Sequence, residues 1–186
     1  DSPSIFSRFT NTLVAPGDPI VRPKASEHLD FEGELAVIIG KSGRYVPQSR
    51  AFDHVAGYSI FFDGSVRDFQ KHSVTAGKNF PATGPFGPVM VTADEIPDPQ
   101  RLTMTTRLNG DIVQHTGIDE MLRSVEELVA YLSTVTELVP GDVIATGTPS
   151  GVGARRVPPL WLKPGDQLEV EIDEIGVLQT HVIDEQ

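Results

Sequence analysis

The sequence predicts a mostly β domain with few helices, on three observations. Short strings rich in valine, isoleucine and threonine recur along it, turn signals separate them closely, and one segment alone carries a full helical stripe. At 186 residues the chain can bury one substantial core and nothing forces a second domain, so residues 1–186 are read as a single catalytic-size unit. It opens at Asp1 rather than methionine, and Asp1 to Arg22 has little periodicity, so native sequence is expected upstream.

Taken in order, Pro16-Gly17-Asp18 is the first of three like turn tripeptides, with Pro140-Gly141-Asp142 and Pro164-Gly165-Asp166. Their irregular spacing makes them recurring turns, not a modular repeat. Two apolar runs follow the first turn, Leu35 to Ile39 and Tyr58 to Phe62, and each reads as a strand. Arg67 to Ser73 can form a short helical turn, but Gly77 and Pro81 limit anything longer. Further strands are expected at Gly87 to Thr92, Leu102 to Leu108, Ile112 to Gln114 and Val143 to Thr146, with Asn109-Gly110-Asp111 as a hairpin turn. The helix is Ser124 to Ser133: Ser124 and Glu127 form a capping box, and Val125, Leu128, Val129 and Leu132 make the apolar stripe. A last strand pair flanks Glu174-Ile175-Gly176, where Leu168 to Asp173 alternates apolar and acidic residues as a half-exposed strand should.

Composition narrows the partners. Fifteen basic against 26 acidic residues give a net charge of -11, which argues against nucleic acid or an anionic membrane and for a small-molecule partner. No apolar run approaches membrane-spanning length, no basic-then-apolar leader is present and there is no cysteine, so a cytoplasmic protein is expected. Without thiolates, any metal site must use oxygen ligands suited to magnesium, manganese or calcium.

Two acidic clusters interrupt the apolar pattern. Glu32-Gly33-Glu34 opens the first apolar run and Asp63 closes the second. A strand repeats every two residues, so Glu32 and Glu34 share a face with Ala36 and Ile38. Burying carboxylates costs several kcal/mol each unless a positive charge compensates, and one divalent cation can compensate all three. Spacing alone leaves an alternative open, a solvated strand edge and a plain Asp63-Gly64 turn.

Five blocks taken together, Asp30 to Ala36, Asp63 to Gln70, Gly77 to Phe80, Gly84 to Pro88 and Gly147 to Gly153, resemble the fumarylacetoacetate hydrolase family. The resemblance runs from about Pro16 to Val182 and looks nearest the short single-domain bacterial members of the acylpyruvase and 2-hydroxyhepta-2,4-diene-1,7-dioate isomerase type. It implies a mixed β-roll or flattened barrel of the family's C-terminal-domain type, commonly a homodimer. It also implies that Glu32, Glu34 and Asp63 hold magnesium or manganese, with calcium a further hard ion the ligands suit. Three carboxylates would leave about three positions of an octahedral ion for a 2-keto or 2,4-diketo acid.

By the same resemblance Lys78 and Gln70 are catalytic, Lys78 stabilising negative charge that grows on the substrate, while Arg67 and Thr148 bind substrate. Each has a plainer reading: a loop lysine, a polar helix face, an ion pair of Arg67 with Asp68, a tight turn at Thr148. The glycine-rich string lacks the lysine of a phosphate loop, and Pro149 removes a donor, so nucleotide binding is not expected. The sequence departs from the family in one respect, because no His-x-x-Glu dyad precedes Glu32; His28, His54, His72, His115 and His181 do not match it, and no general base is assigned. Arg155, Arg156 and Trp161 form either one wall of a site or a surface loop. The expected activity is hydrolysis of a carbon–carbon bond in an acylpyruvate. Alternatives are decarboxylation of oxaloacetate, isomerisation, tautomerisation or hydration of a 2-keto acid at the same site, and a non-catalytic metal-binding module.

Overall fold

The computed structural model describes residues 2–186. Twelve strands fall into two five-stranded sheets and one short ribbon. The first sheet contains β1 (Leu13–Val14), β4 (Gly33–Ile39), β5 (Val55–Phe62), β7 (Gly84–Thr92) and β10 (Val143–Ala145), in the order β1-β7-β5-β4-β10. The second contains β2 (Ile20–Arg22), β8 (Thr103–Leu108), β9 (Asp111–Gly117), β11 (Gln167–Ile172) and β12 (Gly176–Asp184), in the order β2-β12-β11-β8-β9. The ribbon pairs β3 (Leu29–Asp30) with β6 (Ser65–Val66). Most neighbours are antiparallel, while β1 runs parallel to β7 and β2 parallel to β12, so both sheets are mixed. This is the mixed-β roll with few helices that the sequence leads one to expect.

The turn chemistry performs as read. In all three tripeptides the aspartate amide donates to the carbonyl three residues back, at 3.0–3.1 Å, and the glycine sits at φ +86°, +96° or +91°. Asn109 and Gly110 take left-handed values, φ +54° and +88°, and close the β8–β9 hairpin. The helix α3 spans Val125–Val135 with Ser124 as its N-cap and the reciprocal Ser124–Glu127 box formed. Arg67–Gln70 makes the short turn α1, but a second short helix, α2 (Val74–Lys78), follows where glycine had suggested none. Ser73 caps it by accepting from the Ala76 amide at 3.3 Å. Among the described residues, no helix is long and apolar enough to cross a membrane.

The core lies between the sheets. Leu35, Val37 and Ile39 of β4 and Ile60 and Phe62 of β5 meet Met104, Leu168, Val170, Ile172, Leu178 and Val182, with Val125 and Val129 of α3 at one end. The acidic face of β4 is the other face: Ala36 is buried and Ile38 half-buried, but neither joins that cluster. The glutamates therefore sit behind the core, under loops, rather than within it. Gly33 lies between them because the sheets approach closely there; a Cβ would stand 2.3 Å from Thr106 Oγ1 and 3.0 Å from Val170 Cγ1.

Candidate metal centre and substrate cleft

Antiparallel pairing of β4 with β5 assembles the acidic cluster. Glu34 stands opposite Phe61 and Gly33 opposite Phe62, and the Asp63 amide donates to the Glu32 carbonyl at 2.9 Å, which brings Asp63 alongside the two glutamates. One carboxylate oxygen from each of Glu32, Glu34 and Asp63 lies within 4.8 Å of the others, and the residues are 7%, 3% and 1% exposed. The structure brings these three carboxylates together and buries them, so they are not the solvated strand edge of the alternative reading.

Cations surround two of the three. Lys78, 3% exposed and carried at the end of α2, donates to Glu32 Oε2 at 2.6 Å and to Asp63 Oδ2. Arg67 donates to Glu32 Oε1 at 2.6 Å, and Arg8 to Asp63 Oδ1 at 2.8 Å. Among the described residues Glu34 has no such neighbour in contact; its carboxylate accepts from the Gly147 amide at 3.0 Å. Burial therefore pushes the Glu34 carboxyl well above the ordinary range, with the charges of Asp63 and Glu32 adding to the rise. Burial also raises Asp63, and the nearby Lys78 and Arg8 only partly offset it. A buried carboxylate without a cation, beside two others, is a donor set of hard oxygens that fits a divalent cation.

Arg67 and Gln70 come from one face of α1, as their spacing implies. The Arg67 guanidinium also donates to Asp30 Oδ2 at 2.7 Å and to Gln70 Oε1 at 2.9 Å, so three of its five N–H groups hold protein partners, none of them Asp68. Burial disfavours its charge, but Glu32 and Asp30 outweigh this and raise its pKa. Thr148 is less free than the resemblance implies. Its hydroxyl donates to the Gly33 carbonyl at 3.0 Å and accepts from Gln114 Nε2 at 2.9 Å, which is the turn-holding role of the plainer reading.

These side chains line one cleft of about 480 Å³, bounded by Glu32, Arg67, Gln70, Thr148, Ser150 and Arg155. Arg155 is thus part of the site wall, whereas Arg156 is tied into the loop by donating to the Gly151 carbonyl at 2.9 Å and the Val113 carbonyl at 2.7 Å. Trp161 stacks on His28, ring centroids 4.8 Å apart. His28 in turn faces Asp68, His54 the Lys41 carbonyl and His115 the Thr105 hydroxyl, none of them lining this cleft.

Three residues essential to this geometry escaped sequence reasoning. Asp30, fully buried, accepts from the amides of Phe31 (2.8 Å), Gly153 (2.7 Å) and Ala154 (3.0 Å) besides Arg67, and so joins α1 to the glycine-rich loop. The period of two that links Glu32 with Glu34 extends back to Asp30 and could have revealed it. Gln114, 2% exposed, accepts from the Gly33 amide at 3.0 Å and donates to Thr148 and to the Pro149 carbonyl, bolting that loop to β4. Arg8 comes from a segment without periodicity, held down by Asn79, which accepts from the Phe9 amide at 2.6 Å and donates to the Ser7 carbonyl at 2.8 Å.

The model of the fumarylacetoacetate (FAA) hydrolase C-terminal family matches residues 1–183. The mitochondrial oxaloacetate tautomerase FAHD2A of Bos taurus is 42% identical over 185 residues, covering 97% of this chain; the chain spans only 59% of that relative's length. Among solved structures, a fumarylacetoacetate hydrolase from Exiguobacterium antarcticum superposes with a TM-score of 0.95 at 42% identity, over 100% of this chain and 68% of its own. A maleylpyruvate hydrolase from Sphingobium sp. SYK-6, in complex with manganese (II) ion and pyruvate, superposes with a TM-score of 0.89 at 33% identity, over 100% of this chain and 66% of its own. Motifs, fold and buried acidic triad agree with these matches: the chain belongs to the fumarylacetoacetate hydrolase family.

Proposed function

We propose that this domain is a divalent-metal-dependent enzyme that interconverts the enol and keto forms of a 2-keto acid of the oxaloacetate class. The observation that supports this most is the placement of the Lys78 ammonium on Glu32 and Asp63, two members of the acidic triad, beside the cleft wall formed by Arg67 and Gln70. Glu32, Glu34 and Asp63 would hold the cation, magnesium or manganese, which when bound supplies a Lewis acid that polarises the keto oxygen. Lys78 stabilises the negative charge that grows on that oxygen when a proton leaves carbon 3. Arg67 fixes Gln70 and Glu32, and the loop held by Thr148 and Gln114 closes the opposite wall. Tautomerisation breaks the C3–H bond and forms an O–H bond, or the reverse, so it needs a group or solvent water to carry the proton between them; it adds no water and breaks no carbon–carbon bond, so it does not call for a base that activates water as a nucleophile. The 42% identical bovine relative named as an oxaloacetate tautomerase favours this reading over the hydrolysis placed first on sequence.

Hydrolysis of a 2,4-diketo acid such as an acylpyruvate is the second reading, favoured by the maleylpyruvate hydrolase neighbour. The two separate in one experiment, with magnesium or with a chelator. Magnesium-dependent decay of the oxaloacetate enol, without release of acetate from acetylpyruvate, is the expected result. Acetate in the products, identified by mass spectrometry, would replace the first reading with the second, and carbon dioxide with pyruvate would indicate decarboxylation. Silence on both substrates in the presence of magnesium would overturn both readings.

A further inference from the structure

Two arginines line the cleft, and they are differently employed. Arg67 is 21% exposed at its side chain and spends its N–H groups on Asp30, Glu32 and Gln70. Arg155 is exposed, and among the described residues no side chain or carbonyl engages its guanidinium. Its neighbour Arg156 is consumed by two backbone carbonyls. Unlike Arg67 and Arg156 it has N–H groups to spare, and among the described residues the acidic member of its cleft wall is Glu32.

The backbone beneath Arg155 is fixed although its side chain is free. The turn Gly153–Arg155 is pinned by Asp30, which accepts from the Gly153 and Ala154 amides and simultaneously from Arg67 Nε. Gly153 permits this approach, since a Cβ there would stand 1.8 Å from the Leu160 carbonyl oxygen and 2.6 Å from Asp30 Oδ1. One buried carboxylate thus sets the position of both arginines relative to the acidic triad. A guanidinium held at the mouth of a cleft, with its planar fork unspent, matches a carboxylate in geometry and charge.

Resting on the proposed keto-acid reading, we infer that Arg155 receives the distal carboxylate of a dicarboxylic 2-keto acid, and so selects dioates over monocarboxylates. The 2-keto acid end lies toward Lys78 and the triad, and the second carboxylate reaches the outer wall. Because the contact is made equally in ground and transition states, it acts on KM rather than kcat.

The test follows enol–keto conversion, not cleavage, and compares wild type with Arg155→Gln and Arg155→Lys, magnesium present, on oxaloacetate and on acetylpyruvate, which also enolises. Arg155→Gln is expected to raise KM for oxaloacetate roughly tenfold with kcat nearly unchanged, and to leave acetylpyruvate within about twofold; Arg155→Lys should recover part of the loss. Equal losses on both substrates would mean general attraction of anions, and no loss would mean a surface arginine; either overturns the inference. Calorimetric binding of 2-oxoglutarate and 2-oxobutyrate to the manganese-loaded protein separates this from a failure of the catalytic reading. If wild type turns over neither keto acid, the proposed function fails, while a preference for 2-oxoglutarate that Arg155→Gln abolishes would still sustain the inference, and equal binding would overturn it.

Discussion

Replacing Glu34 with glutamine should stabilise the metal-free protein and abolish its response to metal. The triad oxygens lie within 4.8 Å of one another; two full charges at that separation repel by about 3.5 kcal/mol at an effective dielectric near 20. Glu34 faces two such neighbours, is 3% exposed and, among the described residues, has no cation in contact. Glutamine keeps its shape, lets the Gly147 amide retain an oxygen acceptor and removes the charge that faces Glu32 and Asp63. Burial raises the Glu34 pKa, and any proton it holds lessens this repulsion. A net gain of about 1–3 kcal/mol is expected in EDTA, or roughly 3–10 °C in Tm for a domain of this size. Magnesium at a hundredfold excess over its Kd should then stabilise wild type by about 2.7 kcal/mol and the variant by nothing, which closes or reverses the gap between them. Differential scanning calorimetry in EDTA and in magnesium reads both arms. A Glu34→Gln protein less stable than wild type in EDTA, or one that keeps the full magnesium shift, would refute the assignment of Glu34 as an uncompensated ligand.

The same groups set a pH dependence. Glu34 and Asp63 are both raised by burial, so the folded metal-free protein holds protons that the unfolded chain has released. Their contribution to stability is full below about pH 4 and is lost as pH rises through the raised folded values. The difference in Tm between wild type and Glu34→Gln in EDTA should therefore widen with increasing pH, and manganese affinity, read by titration, should rise over the same window; a pH-independent difference would contradict the linkage. Asp30→Asn removes one of the two carboxylate partners of Arg67, the other being Glu32, and weakens the acceptor shared by the Gly153 and Ala154 amides. A loss of about 3–5 kcal/mol in urea unfolding is expected, since one partner of a largely buried pair is removed, and a loss under 1 kcal/mol would show that Asp30 does not organise the loop.

Legibility followed the range over which each signal acts. Capping box, turn tripeptides and the Asn109-Gly110 hairpin depend on residues a few positions apart, and each formed where it was read. The acidic cluster stood out because carboxylates broke a strand pattern whose partner run, Tyr58 to Phe62, was also visible, while spacing left a solvated edge open and the resemblance supplied the ligand assignment. What escaped depends on contacts between distant segments. Arg8 meets Asp63 across 55 residues and Gln114 meets Gly33 across 81, and neither residue has a local pattern that distinguishes it from a surface polar group. The helix α2 was missed for a similar reason: Gly77 weakens helix propensity, yet it is needed because a Cβ would stand 2.3 Å from Gln70 Cγ, so packing against α1 outweighs propensity.

The charges of the site also order its ligands. Asp30, Glu32, Glu34 and Asp63 face Arg8, Arg67 and Lys78, four carboxylates against three cations in direct hydrogen-bonded or near contact. Without a metal the balance is negative when Glu34 is ionised, and an anionic keto acid is repelled from the one place where Lys78 could stabilise it. A divalent ion held by Glu32, Glu34 and Asp63 would make the balance positive and would compete with Lys78 for the charge of Glu32 and Asp63, leaving the ammonium more available to an incoming oxygen anion. Cation before keto acid is thus the order that the electrostatics favours. The free guanidinium at Arg155 can attract a dianion toward the cleft at any stage, but only the inner cluster, once charged positively, can hold the reacting end.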